Sequence, residues 1–106
     1  KVIQNLLPAH PNLKAIYAVN DEMALGALEA LDMVDKVGKV FVSGVDANAD
    51  AREAIREGRL AFSLDTNPEG QGSDAIKAAY DLLQGKKVEP MIITAVKIID
   101  QSNIDE

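Results

Sequence analysis

Hydrophobic and polar positions change period several times along the chain, and each change marks an element. Val2, Ile3, Leu6 and Leu7 recur at helical spacing, so residues 1–7 read as an amphipathic helix. Pro8 and Pro11 are expected to end it, with Ala9 and His10 in the loop between them. Lys14 to Val19 is an apolar run too short for a helix and reads as a buried strand. Asn20 and Asp21 follow at once. Asp21 is the expected N-cap of the next helix, whose buried stripe is Met23, Ala24, Ala27, Leu28 and Leu31. Gly26 costs that helix about 1 kcal/mol against Ala. A close approach to a neighbouring strand would account for it. Asp35 to Gly38 is the return loop.

Lys39 to Val45 repeats the strand signal and ends in Asp46. Residues 47–50 form a loop with Asp50 as the expected N-cap, and Ala51, Ala54 and Ile55 carry a short helix that Gly58 stops in a left-handed conformation. Leu60 to Leu64 is a third strand, running into Asp65, Thr66 and Asn67. Pro68 opens a helix near its first position. Its stripe is Ala75, Ile76, Ala79, Leu82 and Leu83, and Gly85 ends it. Met91 to Ile99 reads as one extended strand, bent if continuous, and Gln101 to Glu106 as a polar tail.

The order α-β-α-β-α-β-α-β predicts an α/β fold, a parallel sheet flanked by helices with right-handed crossovers. In such sheets ligands bind just outside the C-terminal strand ends. Three consecutive strands end there in side chains that can hydrogen-bond: Asn20, Asp46, and Asp65 with Thr66. The row is polar, partly anionic and suited to hydroxyl groups. Each residue also has a plainer reading. Asn20 can stabilise a helix start, Asp46 can form an Asx-turn, and Thr66 can be an ordinary loop residue.

Composition narrows the chemistry. With 106 residues the chain fits one domain at most, and 47% hydrophobic with 26% charged residues is an ordinary globular mixture. The net charge is −6 and only Lys86 and Lys87 are adjacent cations, which argues against a nucleic-acid partner. No apolar run approaches the ~20 residues of a membrane span. Without cysteine there is no disulfide, thiol catalysis or cysteine metal site, and no choice between reducing and oxidising compartments. No signal peptide is present, and the chain starts at Lys1 inside a pattern, as expected of a piece of something longer. His10, the single histidine, lies beside prolines and reads as a surface residue. Asp46 and Asp65 are conceivable as an acid–base pair, but no nucleophile, metal pattern or cofactor motif accompanies them. Gly70-Gln71-Gly72 lacks the third glycine and the lysine of a phosphate loop, and there is no Gly-x-Ser-x-Gly elbow. The expectation is a binding module with no catalytic residue, metal or cofactor.

Two blocks carry a resemblance: Asn20-Asp21-Glu22-Met23-Ala24-Leu25-Gly26-Ala27 and Val42-Ser43-Gly44-Val45-Asp46. It extends to Gln4 through Pro11, to Glu57-Gly58-Arg59-Leu60-Ala61, and more weakly through Leu82 to Val88 and the final strand. These residues resemble the C-terminal part of the type I periplasmic sugar-binding proteins, on their ribose-binding side. The resemblance implies an incomplete flavodoxin-like lobe of a two-lobed protein that closes on a sugar. It implies that Asn20 and Asp46 bind sugar hydroxyls and that Thr66 stands where ribose binders carry a sugar-binding glutamine. Val45 and Ala47 replace the Phe and Gly that usually flank the aspartate, so the ligand is a pentose, a hexose or a polyol. It further implies a membrane ABC permease as partner and a periplasmic or extracytoplasmic location.

By the same resemblance, residues 1–66 belong to the C-terminal lobe, 67–95 to the other lobe, and 96–106 to the final strand and tail. The chain crosses between lobes near Thr66-Asn67 and again near Ala95-Val96. The family's sugar-stacking aromatics and sugar-binding arginine lie in the part not present. Tyr17, Phe41, Phe62 and Tyr80 are assigned to strand and helix interiors. The helix over 69–84 would then lack partners, and self-association is expected. Two alternatives share the pattern: the effector-binding core of a lactose-repressor-type regulator, and an isolated structural half that binds nothing strongly.

Overall fold

A computed structural model describes residues 1–105. The elements are α1 (Val2–Ala9), β1 (Ala15–Tyr17), α2 (Asp21–Asp32), β2 (Phe41–Val45), α3 (Ala49–Arg56), β3 (Phe62–Asp65), α4 (Pro68–Leu83) and β4 (Lys97–Asp100). The sheet order is β1-β2-β3-β4. β1 pairs parallel with β2, Ala15 opposite Phe41, and β2 pairs parallel with β3, Ser43 opposite Phe62. With β4 the sheet is mixed. The chain forms two compact units. One is Lys1–Asp65 with the segment from Ile98 onward, and the other is Thr66–Lys97.

In the first unit the strands are laid down in one direction. Right-handed crossovers then put α2 and α3 on the same face of the sheet. Leu28, Leu31, Ile55, Leu60 and Val42 are the large buried side chains of the core between them. Leu7 of α1 and Ile99 of β4 join the same cluster, and so does Ile104, which the sequence places in a polar tail. The opposite face carries Tyr17, Phe41 and Phe62, all exposed. They share that face because registered residues in a parallel pair point the same way. They are not buried, contrary to the expectation, because among the described residues no helix of the first unit covers that side.

Several local expectations give way. Pro8 lies inside α1, not after it. It forfeits one bond near the end of a short helix, and the His10 amide closes the turn on the Leu6 and Leu7 carbonyls at 3.0 and 3.3 Å. Asn20 caps α2 in place of Asp21, and Asn48 caps α3 in place of Asp50. Met23 is exposed and lines an apolar groove of about 450 Å³ with Val2, Ile16, Tyr17 and Val19. A Cβ on Gly26 would meet nothing within 4 Å, so no close approach explains that glycine.

In the second unit α4 begins as expected, with Pro68 in its first turn and Asn67 as a left-handed N-cap, φ 54°. None of its residues is buried. The stripe of Ile76, Leu82 and Leu83 faces solvent, as does Tyr80. Residues 91–96 form no strand, so the expected Met91–Ile99 strand shrinks to Lys97–Asp100. Among the described residues, no helix is long and apolar enough to cross a membrane.

Candidate functional site

The C-terminal ends of β1, β2 and β3 share one rim because those strands are parallel. Beyond β1 the ladder continues for one bond, the Ala18 amide donating to the Ser43 carbonyl at 2.9 Å. Asn20 then leaves the sheet extended (φ −151°, ψ 169°), and its Oδ1 accepts from the Met23 amide at 2.9 Å. The plain reading of Asn20 as a helix-start residue is therefore realised by its oxygen. Its side chain is half-buried at the rim.

Beyond β2 the chain turns in an unusual way. Asp46 has φ 106° and Ala47 has φ 51°, two consecutive non-glycine residues on the left-handed side. Such residues cost about 1–3 kcal/mol each and persist only where their surroundings over-determine them. Here the surroundings do. The Asp46 amide donates to the Leu64 carbonyl at 2.8 Å. The Ala47 amide donates to Ser63 Oγ at 3.0 Å, and the Ala47 carbonyl accepts from Arg52 Nε at 2.8 Å. The Asn48 amide donates to Asp21 Oδ2 at 2.8 Å. Asn48 Oδ1 in turn accepts from the Ala51 amide at 2.9 Å, starting α3. With its main chain so held, Asp46 is presented at the surface. No Asx-turn bond forms at Asp46, so that alternative is not realised.

Behind the rim lies a polar pair that sequence reasoning missed. Asp21 and Ser63 are both 0% exposed. Ser63 Oγ donates to Asp21 Oδ1 at 2.6 Å. Ser63 already accepts from the Ala47 amide, so its hydroxyl proton goes to the carboxylate. Gly44 makes room for this arrangement. A Cβ there would collide with Asp21 Oδ1 and stand 3.2 Å from the Ala24 Cβ. The one available signal was the alternation in β3. It assigns Phe62 and Leu64 to the core and Ser63 to solvent, whereas Ser63 is fully buried, Phe62 exposed and Leu64 half-buried.

Arg52 was also not singled out. Besides Ala47 it reaches Asp65, with Nη2 3.3 Å from Oδ2 and both side chains about one-third exposed. The pair ties α3 to the end of β3, and Asp65 is engaged with a cation in place of an acid–base partner. Thr66 follows Asp65 directly, is half-buried, and belongs to the second unit. There its carbonyl accepts from Gln71 Nε2 at 2.6 Å. Asn67 accepts from the Gly70 amide at 3.0 Å and donates to the Ala95 carbonyl at 3.2 Å. Among the described residues, no group of three His, Cys, Asp or Glu side chains could hold a metal ion.

Comparison with known proteins places this rim in context. Residues 1–87 match the model of the periplasmic binding protein domain. The ribose import binding protein RbsB of Bacillus subtilis (strain 168) is 43% identical over 100 residues, covering 94% of this chain and 32% of that protein. The solved periplasmic ribose ABC transporter of Conexibacter woesei DSM 14684 superposes with a TM-score of 0.91 at 38% identity, over 98% of this chain and 36% of that one. An ABC transporter periplasmic solute binding protein of Actinobacillus succinogenes 130z, solved with bound D-allose, gives a TM-score of 0.89 at 31% identity, over 97% and 36%. The chain spans about a third of the length of the relatives it matches. With a family model matching residues 1–87 and a relative 43% identical over 94% of the chain, the chain belongs to the periplasmic binding protein family.

Proposed function

We propose that the chain forms part of a sugar-binding solute receptor that serves a membrane ABC transporter outside the cytoplasm. The observation that carries this reading is Asp46, a surface carboxylate at the end of β2 on a main chain held by four hydrogen bonds. A carboxylate accepts from two adjacent hydroxyls, and the free amide group of Asn20 complements it as a donor. Thr66, next in the chain after β3, is the third residue of the reading and contributes a hydroxyl. The relatives' names support it: import of ribose, and bound D-allose. The two compact units are proposed to belong to the two lobes of the receptor, joined through 65–66 and 97–98. In such receptors lobe closure excludes water around the ligand, and there is no chemical step.

The test is a titration of the full gene product with D-ribose, D-allose, D-fructose and myo-inositol, followed by Asp46→Ala and Asn20→Ala. Each substitution is expected to weaken the preferred sugar by about 1–3 kcal/mol, the range for a lost hydrogen bond to a buried polar group. Unchanged affinity in Asp46→Ala would remove Asp46 from the site. The coding sequence upstream of Lys1 separates the classes. A signal peptide and a further α/β lobe support transport, whereas a DNA-binding helix-turn-helix would make the rim an effector site. For the 106-residue chain alone, the exposed apolar stripe of α4 is proposed to drive self-association. A sedimentation profile independent of concentration would count against that.

A further inference from the structure

We infer that Asp21, acting with Ser63, is the positioning residue of the sugar site: its buried carboxylate fixes the β2–α3 loop that presents Asp46, without itself meeting the ligand. The inference rests on the sugar-binding reading of the rim.

Asp21 is fully buried, so a bound sugar cannot reach it. Both of its oxygens accept, Oδ1 from the Ser63 hydroxyl at 2.6 Å and Oδ2 from the Asn48 amide at 2.8 Å. Ser63 passes the constraint on by accepting from the Ala47 amide at 3.0 Å. One carboxylate thereby holds β3 and the main chain on the C-terminal side of Asp46. It also sits next in the chain to Asn20, at the first position of α2. Of the three proposed sugar contacts, Asp46 is thus set by this buried group, and Asn20 is its chain neighbour.

The donor–acceptor pattern admits only a carboxylate. An asparagine at 21 would turn its NH₂ either to the Asn48 amide, donor against donor, or to Ser63 Oγ. In the second case the serine proton would have no acceptor. The loop also has a reason to need the brace. Asp46 and Ala47 sit at φ 106° and 51°, and a loop freed of these bonds would relax toward ordinary backbone and re-aim Asp46.

The test uses the full gene product and a double-mutant cycle between Ser63→Ala and Asp46→Ala, with affinity for the preferred sugar and melting temperature both measured. Ser63→Ala is expected to weaken binding about tenfold, the size set by one unsatisfied buried group. In the Asp46→Ala background its further effect on affinity is expected to fall below about twofold, while its effect on melting temperature persists. That coupling distinguishes positioning from general destabilisation. Equal affinity loss in both backgrounds, or a lowered melting temperature with unchanged affinity, overturns the inference. If the unmodified protein binds none of the four sugars, the sugar-binding reading falls and the inference with it. Where Ser63→Ala does not fold, Ser63→Cys gives the same comparison, because it keeps a weaker donor in place.

Discussion

Helices α2 and α4 have sequence patterns of similar quality and opposite fates. Both are amphipathic, both carry an asparagine N-cap and acidic residues in the first turn. α2 buries Ala24, Ala27, Leu28, Ala30 and Leu31 against the sheet. α4 buries nothing. The difference is not in the helices but in what the chain supplies to cover them. Two parallel strand pairings and α3 lie beside α2. The second unit offers α4 only the irregular stretch after Gly85. It is tied there by polar bonds, Thr94 Oγ1 to Asp74 at 2.7 Å and Lys86 to Asp81 at 2.9 Å. An apolar stripe is a request for a partner, and the stabilisation comes only when the partner is present.

The largest expected effect tests that contrast directly. In the 106-residue chain, Leu28→Ala is expected to cost about 2–5 kcal/mol in a denaturant titration, as for a buried leucine. At dilutions where the chain is monomeric, Ile76→Ala on α4, 74% exposed, is expected to stay within about 0.5 kcal/mol. Equal costs at those dilutions would mean that α4 is buried within the monomer.

Two glycines sharpen the comparison at the next scale. Gly44→Ala is expected to destabilise by about 1–3 kcal/mol, because the added methyl meets Asp21 Oδ1 and the Ala24 side chain. Gly26→Ala has open space and is expected to stabilise by up to about 1 kcal/mol through helix propensity. Ala47→Gly works on backbone strain. At φ 51° a glycine is free of the Cβ conflict, and the gain is expected to be about 1 kcal/mol. Thermal melting of the three variants checks the order.

The smallest effects are electrostatic. Asp81, hydrogen-bonded by Lys86 and then Lys77, is held below the usual carboxylate range. Asp100 is lowered too, by the hydroxyl and then the amide of Ser102. A carboxylate whose folded value is depressed contributes its stability fully above the unfolded value and loses it as pH falls through the folded one. Both units are therefore expected to lose a little stability only in acid, below the ordinary carboxylate range. Added salt is expected to raise the midpoint of Asp81 and leave that of Asp100 nearly unchanged, because lysine pairing is screened and a bond from a neutral serine is not. Carboxylate titration by NMR at two salt concentrations reads both.

Much of the first unit, and the start of α4 in the second, was legible in sequence. The apolar runs at Lys14–Val19 and Lys39–Val45, the Gly58 stop and the Pro68 start are local signals, and they fall where the elements fall. The strand-end row was legible for the same reason, since it needs only strand ends and parallel pairing. The cap assignments missed by one residue at α2 and by two at α3. Adjacent Asn and Asp compete for one position, and the carboxylate of Asp21 was drawn away by Ser63, which is 42 residues further on.

Local chemistry along the chain determined the helices, the first three strands, and which polar side chains stand at the strand ends. The tertiary structure alone decided which face of each strand is inside. Period-two alternation in β3 marks two faces without saying which is covered. Crossover handedness put α2 and α3 on the Ser63 side and left Phe41 and Phe62 exposed. The same decision buried Asp21 opposite Ser63 and gave the β2–α3 loop its brace. No local pattern can encode this, because the partners meet only when β3 is laid beside β2.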